Sequence, residues 1–224
     1  MQFRLTRQSI EAAFDLLGTY AAEKGLAIEI AVYGGSCLIL ATDIRLASGD
    51  VDAVYLSDRA EVASLAAKVA QRLKMPDNWL NEAVKRMAPP AGNPSPTLLP
   101  FGDYPRDTST GIGLRVYLPT PEYMLAMKIL ANRHDDDAAK IQQDQNDAIA
   151  LMQITGIKTR EGLTDLLRQC YPQLPGLMRE NGPMPRIDAK IETLIDAYEA
   201  DPNRPVPAWN AGRGSPTRSD SWER

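Results

Sequence analysis

Histidine and cysteine are nearly missing from this 224-residue chain, which has one of the first and two of the second. With so few, a zinc site of the Cys/His kind has no ligands at the required spacing, and a disulfide framework is excluded. Cys37 falls in an apolar helical stretch and Cys170 near a helix end, so a reducing compartment fits both. The lone His134 stands beside Asp135-Asp136-Asp137 and reads as a surface residue in a solvated charge run. No Gly-x-Ser-x-Gly elbow occurs, which removes serine hydrolase chemistry of that type. No apolar run approaches the roughly 18 to 20 residues needed to cross a bilayer, and no apolar stretch ahead of a cleavage site opens the chain. A soluble, cytoplasmic protein without a membrane partner is the expectation. Positive charge is not in excess either: the net charge is −4. That argues against a chain-wide basic surface for nucleic acid, while a local basic groove and an RNA substrate stay open. No internal repeat is visible.

What is present is a core-forming composition, 44% hydrophobic, with two carboxylates written into an apolar run. Asp50 and Asp52 lie in Gly49-Asp50-Val51-Asp52-Ala53-Val54-Tyr55-Leu56. Alternate residues of a strand share a face, so the two carboxylates point the same way, with Val54 and Leu56 continuing that face. Unpaired, they repel one another. A hard divalent ion such as Mg²⁺, or Mn²⁺ in its place, removes the conflict and keeps coordination positions for phosphate oxygens. The competing reading is two solvated residues at an edge strand or turn.

Upstream, 27–33 reads as a strand, Gly34-Gly35-Ser36 as a tight turn, and Cys37 to Ala41 as the start of a helix with Ser36 as its N-cap. Glycines let a phosphate approach the backbone, and a helix N-terminus adds positive potential. Alternatively the turn joins strand to helix with no ligand. Lys128 sits in Met124-Leu125-Ala126-Met127-Lys128-Ile129-Leu130-Ala131, among apolar neighbours. Either its stem packs while its head reaches water, or its charge faces a phosphate. Asp144 and Asp147, three apart, share a helical face and can orient Lys128 or Arg133, complete the acidic site, or form a solvated edge.

A glycine turn followed about 15 residues later by a strand bearing Asp-x-Asp resembles the nucleotidyltransferase superfamily. The likeness is to its minimal branch, which includes the AbiEii-type toxins of toxin-antitoxin systems. In that branch an Arg and a Thr precede the aspartates; here Arg45 fits and Ser48 stands in the Thr's place. The segment 121–133 resembles the family's Lys-bearing helix, and 144–151 its Asp-x-x-Asp helix, with 134–143 as extra sequence between them. The resemblance covers roughly residues 27 to 157. It implies a metal-dependent nucleotidyltransferase with Asp50 and Asp52 on Mg²⁺, Gly34, Gly35, Ser36 and Arg45 around the NTP, and Lys128 stabilising developing charge. It further implies an RNA, protein or small-molecule acceptor and an antitoxin protein as partner. Two readings of other classes stand beside it: a nucleotide-binding regulatory module without a working metal site, and a protein-interaction module built on the helical half.

The expected fold is α/β of the α+β kind, a small mixed and mostly antiparallel sheet with helices on one side. Residues 1–119 form its nucleotidyltransferase-like core, 120–200 a helical C-terminal part, and 201–224 a flexible tail. Amphipathic helices are predicted over 6–23, from Ser57-Asp58 to before Pro76, and over 77–87, with Trp79, Leu80, Val84 and Met87 as the last one's buried face. Further helices are predicted from Thr120-Pro121, from 138 to 155 with Ile141, Ala148, Leu151 and Met152 on one side, from Thr159 to Cys170, and over 187–200. Leu114 to Leu118 alternates as a strand, 89–96 reads as a loop, and 172–185 as irregular.

Overall fold

The computed structural model describes residues 3–87, 98–107, 109, 111–131, 138–172, 178–179, 182–183, 185–201 and 204–210. The predicted loop at 89–96, together with Arg133, His134 and Trp222, lies outside them.

The fold is α+β. Helix α1 (Arg7–Glu23) is opened by Thr6, whose side chain accepts from the Ser9 N–H while the Ser9 side chain accepts from the Thr6 N–H, two of the otherwise orphaned donors satisfied reciprocally. Strand β1 (Ile28–Val32), helix α2 (Gly34–Ala41) and strand β2 (Val51–Tyr55) follow. Helix α3 (Arg59–Leu73) starts on the Asp58 cap and stops at Lys74 in the left-handed region. Where a helix over 77–87 is predicted, there is a two-residue strand β3 (Leu80–Asn81) and a short 3₁₀ turn (Ala83–Arg86). Leu80 leaves the helical pattern because β3 completes the ladder beside β2, a tertiary pairing that local periodicity does not report. Trp79 is nonetheless fully buried, its indole N–H donating to the Ala66 carbonyl at 3.0 Å.

Strand β4 (Leu98–Tyr104) carries Pro100 and Gly102 and was not expected. It is tolerated because it forms one edge of the sheet and shifts register between those two residues. With β5 (Leu114–Pro119) the order is β3-β2-β1-β5-β4. β1 pairs with β2 and β4 with β5 antiparallel, whereas β1 with β5 and β2 with β3 are parallel. The sheet is therefore evenly mixed rather than mostly antiparallel. Helix α1 lies against β5 at backbone distance: a Cβ on Gly113 would come within 1.8 Å of the Gly18 carbonyl oxygen.

The helical part comprises α4 (Pro121–Leu130), α5 (Ala138–Thr155), α6 (Arg160–Cys170) and α7 (Pro185–Glu199), with a two-stranded ribbon of β6 (Met178–Arg179) and β7 (Gly182–Pro183) before α7. Thr120 caps α4 with Pro121 in its first turn, and Lys190 of α7 donates to the Lys128 and Ala131 carbonyls at its end. Ile141, expected on the buried side of α5, is 38% exposed, while Ala148, Leu151 and Met152 are buried. One hydrophobic cluster runs from Leu5 to Leu194 through both parts. Tyr123 of α4 and Tyr171 after α6 both donate to the Met87 carbonyl, joining them.

Residues 204–210 correct the expectation of a flexible segment beginning at 201. They lie on the core: the Asn210 N–H donates to the Ala41 carbonyl at 2.8 Å, Gln153 donates to the Arg204 carbonyl, and Trp209 packs on the cluster. One large indole in contact with the core outweighs the polar composition around it. No helix among the described residues is long and apolar enough to cross a membrane.

Candidate functional site

The site lies where β1 passes into α2. Tyr33, not Ser36, is the N-cap of α2, and its backbone is extended without a side-chain cap. Gly34 follows at φ +63°, a left-handed conformation that a residue with a Cβ adopts only under strain. The helix thus begins three residues earlier than predicted, and Ser36 is inside it. Ser36 is buried, and its hydroxyl donates to the Asp50 carbonyl at 2.5 Å. The serine ties the turn to the strand that bears the aspartates.

The two glycines also make room for groups of this same chain. A Cβ on Gly34 would lie 2.6 Å from the Asp52 Oδ2, and one on Gly35 2.5 Å from the Arg45 Cζ. The first turn of α2 is bare so that a carboxylate and a guanidinium of this same chain can lie against it. Asp52 sits where the helix N-terminus favours negative charge. It is half-buried on β2, whose pairing with β1 places the Tyr33 N–H on the Asp52 carbonyl at 2.8 Å. Asp50, also half-buried, comes just before β2 and accepts from the Asn81 Nδ2 at 3.0 Å. Sequence reasoning did not find Asn81; the short strand that brings it here was read as helix.

Arg45 is held on the other side. Its guanidinium donates to Asp147 Oδ2 at 2.9 Å, to Gln143 Oε1 at 3.4 Å and to the Ala47 carbonyl at 3.3 Å. Asp147 Oδ2 also accepts from Lys128 Nζ at 2.7 Å, and Lys128 reaches Asp144 Oδ1 at 2.6 Å. All three residues of that triad are buried, with 5 to 6% of their surface exposed. Lys128 therefore neither snorkels to water nor faces an incoming phosphate directly; its ammonium is turned inward onto two carboxylates. The helical spacing of Asp144 and Asp147 puts both on the face of α5 that meets α4. Ser48, in the position of the family's threonine, is buried and bridges its backbone to Leu5 at 2.7 and 2.9 Å.

Burial pushes the Cys37 thiol upward, with Lys128 opposing the shift. Burial likewise raises Tyr33, reinforced by Tyr123 and Cys37. Among the described residues no group of three or more His, Cys, Asp and Glu is placed to hold a metal. Two carboxylates nevertheless suit Mg²⁺, which keeps several waters and commonly takes one or two protein carboxylates together with substrate phosphates. Asp103 and Glu122 are not part of this constellation: Asp103 faces Arg115 on the far edge of the sheet, and Glu122 is exposed in the first turn of α4.

No family model, no curated protein and no solved structure matches this chain.

Proposed function

We propose that the protein is a metal-dependent nucleotidyltransferase, moving a nucleotidyl group from an NTP to an acceptor hydroxyl. The observation that carries this reading is the Asp52 carboxylate lying on Gly34 at the first turn of α2, with Asp50 alongside. The likeness of the Gly-Gly and Asp-x-Asp segments to the superfamily supports it. Asp50 and Asp52 would hold Mg²⁺ or Mn²⁺, and the bound ion would supply charge neutralisation at the reacting phosphate. The backbone of Gly34 and Gly35, with Arg45 over it, presents positive potential to the triphosphate. Lys128 serves at one remove: it fixes Asp147, and Asp147 fixes Arg45. In the reaction the acceptor oxygen bonds to the α-phosphorus, the α–β phosphoanhydride breaks, and pyrophosphate leaves with the bonding pair. The acceptor proton passes to solvent.

The test is incubation with each α-labelled NTP and Mg²⁺ in the presence of RNA, of protein and of small hydroxylated acceptors. Label moves to one acceptor with release of pyrophosphate, and Asp52→Asn abolishes both. An antitoxin protein is the partner in this reading; its co-expression would suppress the transfer. A second reading, a nucleotide-binding regulatory module, is favoured by the full engagement of Lys128 with carboxylates and by the two-carboxylate donor set. Metal-dependent binding without turnover separates it from the first.

A further inference from the structure

We infer that Asn81 is a positioning residue for the metal ligand Asp50, and that its side-chain amide decides which Asp50 oxygen meets the ion. The inference rests on the nucleotidyltransferase reading above.

Asn81 reaches Asp50 because β3 pairs in parallel with β2, setting Asn81 opposite Asp52 and Leu80 opposite Val51. Two residues on, the Ala83 N–H donates to Asn81 Oδ1 at 2.8 Å, an Asx-type turn at the start of the 3₁₀ segment. That bond settles which end of the amide is which. With Oδ1 committed to a backbone donor, Nδ2 points at Asp50 Oδ2, 3.0 Å away, and also contacts the Asn78 carbonyl at 3.5 Å. The Asp50 backbone is fixed independently, by the Ser36 hydroxyl on its carbonyl and by the following Val51 N–H on the Trp79 carbonyl at 2.6 Å.

Asp50 is thus clamped at main chain and side chain. Its Oδ2 shares its lone pairs with a neutral donor, while among the described residues Oδ1 accepts no hydrogen bond, so Oδ1 is the oxygen favoured for the ion. A neutral amide suits this task because it orients the carboxylate without adding charge or competing for the cation. An Asp at 81 would lack the donor and bring a third carboxylate against the pair. Such outer partners of a ligating carboxylate typically contribute tenfold or more to metal affinity (about 10–100-fold).

The experiment is Mn²⁺ titration in the presence of ATP, read by water-proton relaxation enhancement, on wild-type protein, Asn81→Ala, Asn81→Ser and Asp52→Asn. ATP binding in EDTA and thermal melts are measured on the same samples. Asn81→Ser keeps a hydroxyl for the Ala83 N–H but is too short to reach Asp50, so it holds the turn if Asn81→Ala unfolds. The expected result is a roughly tenfold loss of Mn²⁺ affinity in both Asn81 variants, with ATP binding in EDTA and the Asn81→Ser melting temperature unchanged. Wild-type affinity in a folded Asn81→Ser that still loses metal through Asp52→Asn would overturn the inference and leave the proposed function standing. Absence of Mn²⁺-dependent binding in the wild-type protein would overturn both.

Discussion

Replacing Lys128 with Met keeps the stem's packing and deletes a charge that two buried carboxylates share. The ammonium contacts Asp144 and Asp147 at 2.6 and 2.7 Å. Breaking a buried pair by removing one partner costs on the order of 3–5 kcal/mol, mostly because charge is left uncompensated in a poorly hydrated place. Arg45 remains on Asp147 at 2.9 Å, so the loss belongs at the lower end, about 3 kcal/mol. For a chain of this length, about 2–4 °C per kcal/mol gives a melting temperature lower by roughly 6–12 °C. The assay is a thermal melt of wild type, Lys128→Met, Asp144→Asn and the double variant. Neutralising Asp144 in the Lys128→Met background removes one of the two buried carboxylates that shared the ammonium, so the double variant should melt above Lys128→Met, with a coupling of about 1–3 kcal/mol. A Lys128→Met protein that melts with the wild type would refute the buried triad, and so would strict additivity in the double variant. Because Lys128 also fixes Asp147, which fixes Arg45, nucleotide affinity should fall in Lys128→Met and stay low in the double variant.

Gly34→Ala forces a Cβ onto the Asp52 carboxylate from a left-handed backbone, and metal-dependent nucleotide binding should be lost with a destabilisation of about 1 kcal/mol or more in chemical denaturation. Gly113→Ala, far from the site, should prevent folding outright, since the added carbon meets the Gly18 backbone; a soluble, cooperatively melting variant would show that α1 does not cross β5 as described. Truncation after Ala200 removes the Trp209 packing and the Asn210 bond, so the melting temperature should drop by several degrees rather than stay unchanged. Burial lifts the Tyr55 and Tyr123 phenols from 10.0 to about 12, the first reinforced by Glu82. Above the unfolded value the unfolded chain has released protons that the folded one keeps, so stability should fall from pH 10.0 to about 12, read as a declining melting temperature across that window.

Elements that carry their own local signals were legible. The Asp58, Thr120 and Thr159 caps, the Pro121 entry and the alternation of Leu114 to Leu118 each depend on residues a few positions apart. The strands at the sheet's two edges were not. β4 contains proline and glycine and exists because β5 pairs with it; β3 is two residues held by β2. The start of α2 was misplaced because a glycine at φ +63° lets a helix begin without a side-chain cap. Within the site, Asp50, Asp52, Gly34, Gly35 and Arg45 were singled out, and the structure brings them together around one helix turn. The partners were hidden. Which cation meets which carboxylate, across 16 and 19 residues for Lys128 and 102 for the Arg45–Asp147 bond, follows from packing alone. Asn81 was missed for the same reason: its reach to Asp50 exists only once β3 has paired.

The measurement that bears most directly on the account is calorimetric titration of the wild-type protein and Asp52→Asn with each of the four NTPs, with and without Mg²⁺. The account predicts that at least one NTP binds the wild type more tightly with Mg²⁺ present, and that Asp52→Asn, folded by its thermal melt, loses that increment. Equal affinity with and without Mg²⁺ in the wild type, or an increment that survives in folded Asp52→Asn, would contradict it.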